Sequence, residues 1–95
     1  MKTGELRTYT PTEFKIHKIW CDVLHFNDFS TTDNFLFIGG NSFLAISVVK
    51  KIKETFNLND KEFMIRHFFD SPRIKDLAEH VDLLLMFKKK SLVKQ

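Results

Sequence analysis

The sequence predicts an all-α protein: a small four-helix bundle of three long helices and one short, with a long loop between helices 1 and 2. Three observations carry this expectation. Apolar residues recur at three- and four-residue spacing in three separate stretches. Thr10-Pro11 and Ser71-Pro72 each place a capping residue before a proline, the usual punctuation of a helix start. Only three Gly and two Pro occur in 95 residues, which argues against a turn-rich β-sandwich and against disorder. The 43% hydrophobic content, with eleven Phe, is enough for one core. A chain this short buries about 60–65% of its unfolded surface. It is too short for a barrel enzyme or a doubly wound nucleotide-binding fold.

Residues 1–9 show no periodicity and read as a flexible N-terminus. The first helix opens at Thr10-Pro11-Thr12-Glu13, where Thr10 caps, Pro11 takes the first helical position and Glu13 completes a capping box. Its apolar stripe is Ile16, Ile19, Trp20, Val23 and Leu24, with Phe14 and Cys21 on the other side, and it ends near His25. Residues 26–40 form a long connection that carries Phe26, Phe29, Phe35 and Phe37, so it reads as a loop pinned to the core by aromatic residues. A short strand at 34–38 is the alternative there. The second helix runs from Ser42 to Phe56 on a stripe of Leu44, Ala45, Val48, Val49, Ile52 and Phe56. Asp60 is placed to cap a short third helix at about 61–69, and Ser71-Pro72 to start a fourth. That last helix carries Ile74, Leu77, Ala78, Val81, Leu84 and Leu85 and runs to about Lys89. The expected domain spans 10–87, with a basic tail at 88–95.

Several function classes are disfavoured by composition. No apolar run approaches the ~18 residues of a membrane span. The N-terminal stretch has no apolar signal region, which together with the single Cys points to a soluble, reduced, cytoplasmic domain. One Cys cannot form an intramolecular disulfide or a Cys-rich zinc site, and His17, His25, His67 and His80 have no metal-ligand spacing. The net charge of +3 comes largely from Lys88, Lys89, Lys90 and Lys94, and the rest of the chain is nearly balanced. A solvated helix end explains that cluster better than nucleic-acid binding.

The stretch that carries chemistry is residues 33–43, Asp-Asn-Phe-Leu-Phe-Ile-Gly-Gly-Asn-Ser-Phe. The Gly39-Gly40 pair permits a turn with unusual backbone angles, and Ser42 follows it at a helix N-terminus. Unpaired N–H groups and the helix dipole make such a point suitable for a phosphate, bound or covalently attached. The plainer alternative is that Ser42 is an N-cap and Gly-Gly a turn. Cys21 shows no sign of activation, Asp33 reads as a loop-orienting cap, and Trp20 reads as core with an indole N–H that needs a partner.

In its wider context this stretch resembles the peptidyl carrier (thiolation) domains of nonribosomal peptide synthetases, within the phosphopantetheine-binding carrier family. Asp33, Phe35, Gly39, Gly40 and Ser42 match the family's attachment pattern, and Phe68, Phe69, Pro72, Ile74, Leu77 and Ala78 match a downstream block in order and spacing. Ile19-Trp20 is similar to the family's first helix, so the resemblance covers about residues 10–86. Phe37 stands where a polar residue is common, Phe43 where leucine is usual, and Arg73 where threonine is customary.

The resemblance implies a non-catalytic carrier. A phosphopantetheinyl transferase, using magnesium, would move the 4′-phosphopantetheine arm of coenzyme A onto Ser42, and the arm's thiol would hold aminoacyl, aryl or acyl groups as thioesters. Gly39, Gly40, Asn41 and Asp33 would frame the attachment point. Expected partners are the transferase, an adenylation domain or acyl-activating enzyme, and condensation, thioesterase or tailoring enzymes. No nucleic acid, no membrane and a monomeric state are expected. Phe43, Ile46, Lys50 and Met64 are the candidate docking residues, with Lys53 on the rim. The alternative is that Phe43 folds back onto the loop and Ile46 packs beneath the third helix. Two other readings stand beside this one: an acyl carrier of a polyketide or other acyl pathway, and a basic helical interaction or nucleic-acid-binding domain.

Overall fold

The computed structural model describes the backbone of residues 9–93 and the side chains of residues 9–89. The expected flexible segment at 1–9 therefore lies, except for Tyr9, outside the described residues. Four α-helices are present among them: α1 (Pro11–Leu24), α2 (Ser42–Phe56), α3 (Ile65–Asp70) and α4 (Ile74–Val93). A single 3-10 turn, Phe35–Phe37, interrupts the α1–α2 connection where a strand was the alternative reading.

The start of α1 follows from local chemistry. Thr10 accepts from the Glu13 N–H at 3.0 Å, and the Glu13 carboxylate accepts from the Thr10 N–H at 2.9 Å. His25 closes the helix in the left-handed region (φ 64). α2 has the expected bounds, and Asn57 ends it in the same left-handed conformation (φ 57).

The third helix departs from expectation. Asp60 does not cap it: its carboxylate is taken by Lys53 at 2.6 Å. Asn59 instead accepts from the N–H groups of Lys61 and Glu62, both at 2.9 Å, and so organises one isolated turn. Phe63 then enters the core, breaking the run, and α3 begins only at Ile65. Ser71-Pro72 likewise does not open α4, which starts at Ile74. The Ser71 hydroxyl donates to Asp76, while buried Pro72 offers its carbonyl to the Phe35 N–H at 2.9 Å.

The core is one cluster. α1 supplies Ile16, Ile19, Trp20 and Val23; α2 supplies Ala45, Val48, Val49, Ile52 and Phe56; α4 supplies Ile74, Leu77, Ala78 and Val81. Leu24, Leu44, Leu84 and Leu85, expected on the core stripes, pack at its margin. Trp20 sits at the centre with Phe29, Phe35 and Phe68 at ring-centroid distances of 5.7, 4.9 and 6.4 Å. Pairs of this kind add about 0.5–1.5 kcal/mol each beyond their burial. The loop is thus fastened by Phe29 and Phe35, while Phe26 and Phe37 are exposed. The expected partner for the indole is not found: Trp20 Nε1 is buried without a hydrogen bond among the described residues.

α4 is unbroken through Val93, so the boundary expected at 87/88 falls inside a helix. Lys88 is not a free tail residue either. Its Nζ donates to the Asn57 carbonyl at 2.8 Å and pairs with Glu62 at 3.4 Å, tying α4 to the end of α2.

Candidate functional site

The site is built where the loop meets α2. Gly39 has φ +113, a conformation open to glycine and strained for other residues. Gly40 is required for a different reason. A Cβ there would lie 2.3 Å from the Phe35 ring and 2.6 Å from the Phe35 carbonyl oxygen. That carbonyl already accepts the Gly40 N–H at 3.0 Å, so the backbone doubles back tightly over a buried ring.

The approach to this turn is stapled to the start of α4. Besides the Phe35–Pro72 bond, the Lys75 N–H donates to the Thr31 carbonyl at 3.0 Å, and Arg73 Nε donates to the Thr32 carbonyl at 3.1 Å. Arg73 therefore has a structural task in this chain. Asp33 accepts from the Ser30 N–H at 2.8 Å and Asn34 from the Leu36 N–H at 2.8 Å. Asp33 thus orients the loop and makes no hydrogen bond to Ser42.

Capping of α2 falls to Asn41, not Ser42. Asn41 Oδ1 accepts from the Leu44 N–H at 2.9 Å, and its carbonyl accepts from the Ala45 N–H at 2.8 Å. Ser42 is the first helical residue; its side chain is exposed, and its hydroxyl makes no hydrogen bond among the described residues. The positive end of the helix dipole and the unpaired first-turn N–H groups surround it. A hydroxyl left free beside an anion-favouring helix end suits a phosphodiester attachment, and the surrounding turn presents glycine rather than bulk. The residues present therefore fit a covalently held phosphate group.

Apolar side chains in the first turns of α2 and in the loop before it stand exposed. Phe37 is 84% exposed, Phe43 83% and Ile46 57%. Phe43 does not fold back onto the loop, and Ile46 is not covered by α3. Below Ile46, a groove between α2 and α3 is lined by Val49, Lys50, Phe63, Met64 and Ile65, among others. Lys50 is exposed on its rim, whereas Lys53 is held by Asp60. The hydrogen bond from Lys53, and then its charge, hold the Asp60 carboxyl below the usual carboxylate range.

The structure thus gathers Gly39, Gly40, Asn41, Ser42 and Phe43 at one pole of α2, with Ile46, Lys50 and Met64 along the adjoining groove. Sequence reasoning passed over Phe35 as the ring that dictates Gly40. The apolar run at 35–38 conceals that Leu36 and Phe37 are exposed while Phe35 is buried.

Chemistry elsewhere is quiet. Cys21 Sγ lies 3.6 Å from His17 Nδ1, but burial and then Asp22 push the thiol's pKa up, and burial pushes that of His17 down. Both shifts oppose a thiolate–imidazolium pair. No cluster of three or more His, Cys, Asp or Glu that could hold a metal occurs among the described residues. No helix there is long and apolar enough to cross a membrane.

Comparison with known proteins bears on this geometry. A family model described as "Phosphopantetheine attachment site" matches residues 15–81. A linear gramicidin synthase polypeptide of Brevibacillus parabrevis is 40% identical over 76 residues, which is 80% of this chain and 1% of that protein. The chain thus spans only about 1% of such a relative's length. Among solved structures, a complex of the phosphopantetheine transferase Sfp with coenzyme A and a peptidyl carrier protein contains a chain that superposes with a TM-score of 0.72 at 29% identity. That match covers 79% of this chain and 94% of the other. A solution structure described as a prototype for the peptidyl carrier domains of modular peptide synthetases aligns with a TM-score of 0.67 at 30% identity, covering 78% and 93%.

Proposed function

The chain belongs to the phosphopantetheine attachment-site family, as a carrier domain of the peptidyl type, and on that premise we propose that Ser42 is the attachment residue and that the domain presents acyl intermediates to the enzymes of a peptide synthetase. The family's group, 4′-phosphopantetheine, supplies when bound a terminal thiol that holds an acyl group as a thioester. The observation that carries the assignment to Ser42 is the division of labour at the start of α2: Asn41 caps, and Ser42 keeps its hydroxyl free.

Each residue then has a derived part. Ser42 Oγ attacks the pyrophosphate of coenzyme A, forms the new P–O bond and gives up its proton, while 3′,5′-ADP leaves with the electrons of the broken bond. Among the described residues no imidazole or carboxylate is bonded to Ser42, and in this reading the transferase supplies the proton acceptor. Gly39 supplies the positive φ of the turn before Ser42, and Gly40 lets the backbone pass tightly over the buried Phe35 ring. Asn41 holds the first turn rigid so that the hydroxyl is presented in one place. The domain itself performs no catalysis: it anchors the cargo and raises its effective concentration at each partner.

Phe43, Ile46, Lys50 and Met64 form the docking surface in this reading. Apolar contacts supply affinity and the lysine supplies steering. The partners are a phosphopantetheinyl transferase, an adenylation domain or acyl-activating enzyme, and condensation, thioesterase or tailoring enzymes. The domain works as a monomer in the cytoplasm.

Intact mass before and after incubation with coenzyme A, magnesium and a broad transferase tests the assignment. The expected result is a gain of one phosphopantetheine, abolished in Ser42→Ala with the helical content unchanged. A gain that survives in Ser42→Ala, or none in the wild type, overturns it. Ile46→Asp is expected to keep the fold and the mass gain while slowing loading by the acyl-activating partner at least tenfold. Unaltered loading kinetics on fully modified protein would remove the docking role of Ile46.

A further inference from the structure

We propose that the outer face of α4 pairs with the same face of a second copy of this chain, in an antiparallel arrangement that leaves both Ser42 poles open. Leu83, Met86 and Phe87 are each at least half exposed. At 100° per residue they fall on the side of α4 turned away from its buried residues Ile74, Leu77, Ala78 and Val81. Their spacing makes them neighbours on the helix surface. Three large apolar side chains grouped in water mark a contact surface, whereas singly scattered ones do not. The family match ends at residue 81, so the turns that carry this face lie outside the part of the chain that the carrier family accounts for.

The charge pattern identifies the occupant. Glu79 precedes Leu83 by four residues and is exposed on the same face. Lys90 follows Met86 by four residues and falls on that face by helical register. Along the helix the face therefore reads acidic, apolar, basic. Two such faces laid antiparallel about a two-fold axis midway between Leu83 and Met86 set Leu83 against Met86 and Glu79 against Lys90. One register thus satisfies the apolar and the ionic contacts together. Parallel pairing would set Glu79 against Glu79 and Lys90 against Lys90, which like-charge repulsion disfavours. An anionic lipid surface suits the face less well, because Glu79 would be pressed against charge of its own sign.

The charges beside the face are engaged elsewhere. Asp82 accepts from Thr12 and Asp76 from Ser71. Lys88 is bonded to the Asn57 carbonyl and to Glu62. Glu79 has no ion pair among the described residues and is available to a second copy.

The pairing is weak. A single helix face falls short of the about 1,200 Å² at which specific complexes become stable. The single domain therefore remains the working species at low concentration, and the pair forms as concentration rises. Lys88 joins α4 to the Asn57 end of α2, and Ser42 stands at the other end of that 15-residue helix, about 20 Å away. Both poles stay accessible in the pair, and the contact is independent of the carrier reading.

Sedimentation equilibrium of the full chain from about 10 µM to about 1 mM tests it, a range that brackets weak association. The wild type is expected to rise from the monomer mass towards twice that mass. Glu79→Lys and Lys90→Glu each bring like charges together twice per pair, and each is expected to weaken association about tenfold. The double variant exchanges the two charges and is expected to restore it. Circular dichroism checks that all three keep the wild-type helix content. Phe87→Ser, expected to weaken the pair with no change of charge, keeps the test decisive if a reversal disturbs α4. Monomer mass throughout the range overturns the proposal. So does association that the folded variants leave unchanged, or that the folded double variant fails to regain. A wild type that stays monomeric alone and sediments with phosphatidylserine vesicles overturns it too, and assigns the face to a lipid surface. Mass gain at Ser42, read on the same samples, reports separately on the carrier assignment.

Discussion

At the N-terminal end of α2 the structural work stops one residue short of Ser42; at the C-terminal end it extends across the neighbouring polar groups. Asn41 takes the cap, and Ser42, Phe43 and Ile46 are left facing solvent. Around Asn57 there is no such reserve. Its carbonyl receives Lys88, Glu62 pairs with the same lysine, Lys53 is bound to Asp60, and Leu58 is buried. Both ends face the same problem of unpaired helix-end groups. One solves it while leaving a hydroxyl and two apolar side chains unused, and the other uses nearly everything it has. Openness at the Ser42 pole is therefore a local arrangement with its own supports, chiefly the loop staples to α4 and the ring of Phe35.

Breaking those supports should reveal the difference, and Gly40→Ala should do so most strongly. The added methyl meets the Phe35 ring at 2.3 Å, and that ring cannot yield because Trp20 and Phe68 pack against it. The expected cost is about 1–3 kcal/mol in urea denaturation, with slower modification of Ser42. Wild-type stability in this variant would show that the turn is loose. Asn41→Ala should cost about 1 kcal/mol by the same measurement. It should still gain one phosphopantetheine at Ser42, because the proposed assignment gives capping to Asn41 and attachment to Ser42. Loss of the mass gain in a folded Asn41→Ala protein would merge the two roles.

The smallest effect belongs to the opposite pole. The Asn59 N–H is the main cause holding the Glu62 carboxyl below its ordinary value of 4.5, with Lys88 adding to it. Its stabilising contribution is complete above that ordinary value and is lost as the pH falls through the lower native one. Glu62→Gln should therefore flatten part of the fall in urea midpoint between pH 6 and pH 3, with Ser42 modification at neutral pH unchanged. An identical pH profile in the variant would remove Glu62 from the account.

Much of the fold was legible because it is written in short-range interactions. The Thr10–Glu13 capping box, the bounds of α2 and the core stripes of α1, α2 and α4 all depend on residues within about a turn of one another. The Gly-Gly turn and the serine after it were readable on the same grounds. The third helix was misplaced because Asp60 has the form of a cap, whereas its carboxylate is bound by Lys53 of α2 and Phe63 is drawn into the core, so that α3 begins only at Ile65. Ser71-Pro72 had the form of a helix start, yet Pro72 serves the loop through its carbonyl, a demand set by Phe35 from another part of the chain.

By itself, then, the sequence determined that this is a helical bundle with a serine at the start of its second long helix. Only the tertiary structure decided that Asn41 relieves Ser42 of capping, that Phe35 is sealed inside while Phe37 and Phe43 remain outside, and that His67 and His80 meet. The physical reason is one of range. Caps and amphipathic stripes are settled by neighbours along the chain. Which apolar ring is covered, and which polar group is left over, depends on segments tens of residues apart that compete for the same space.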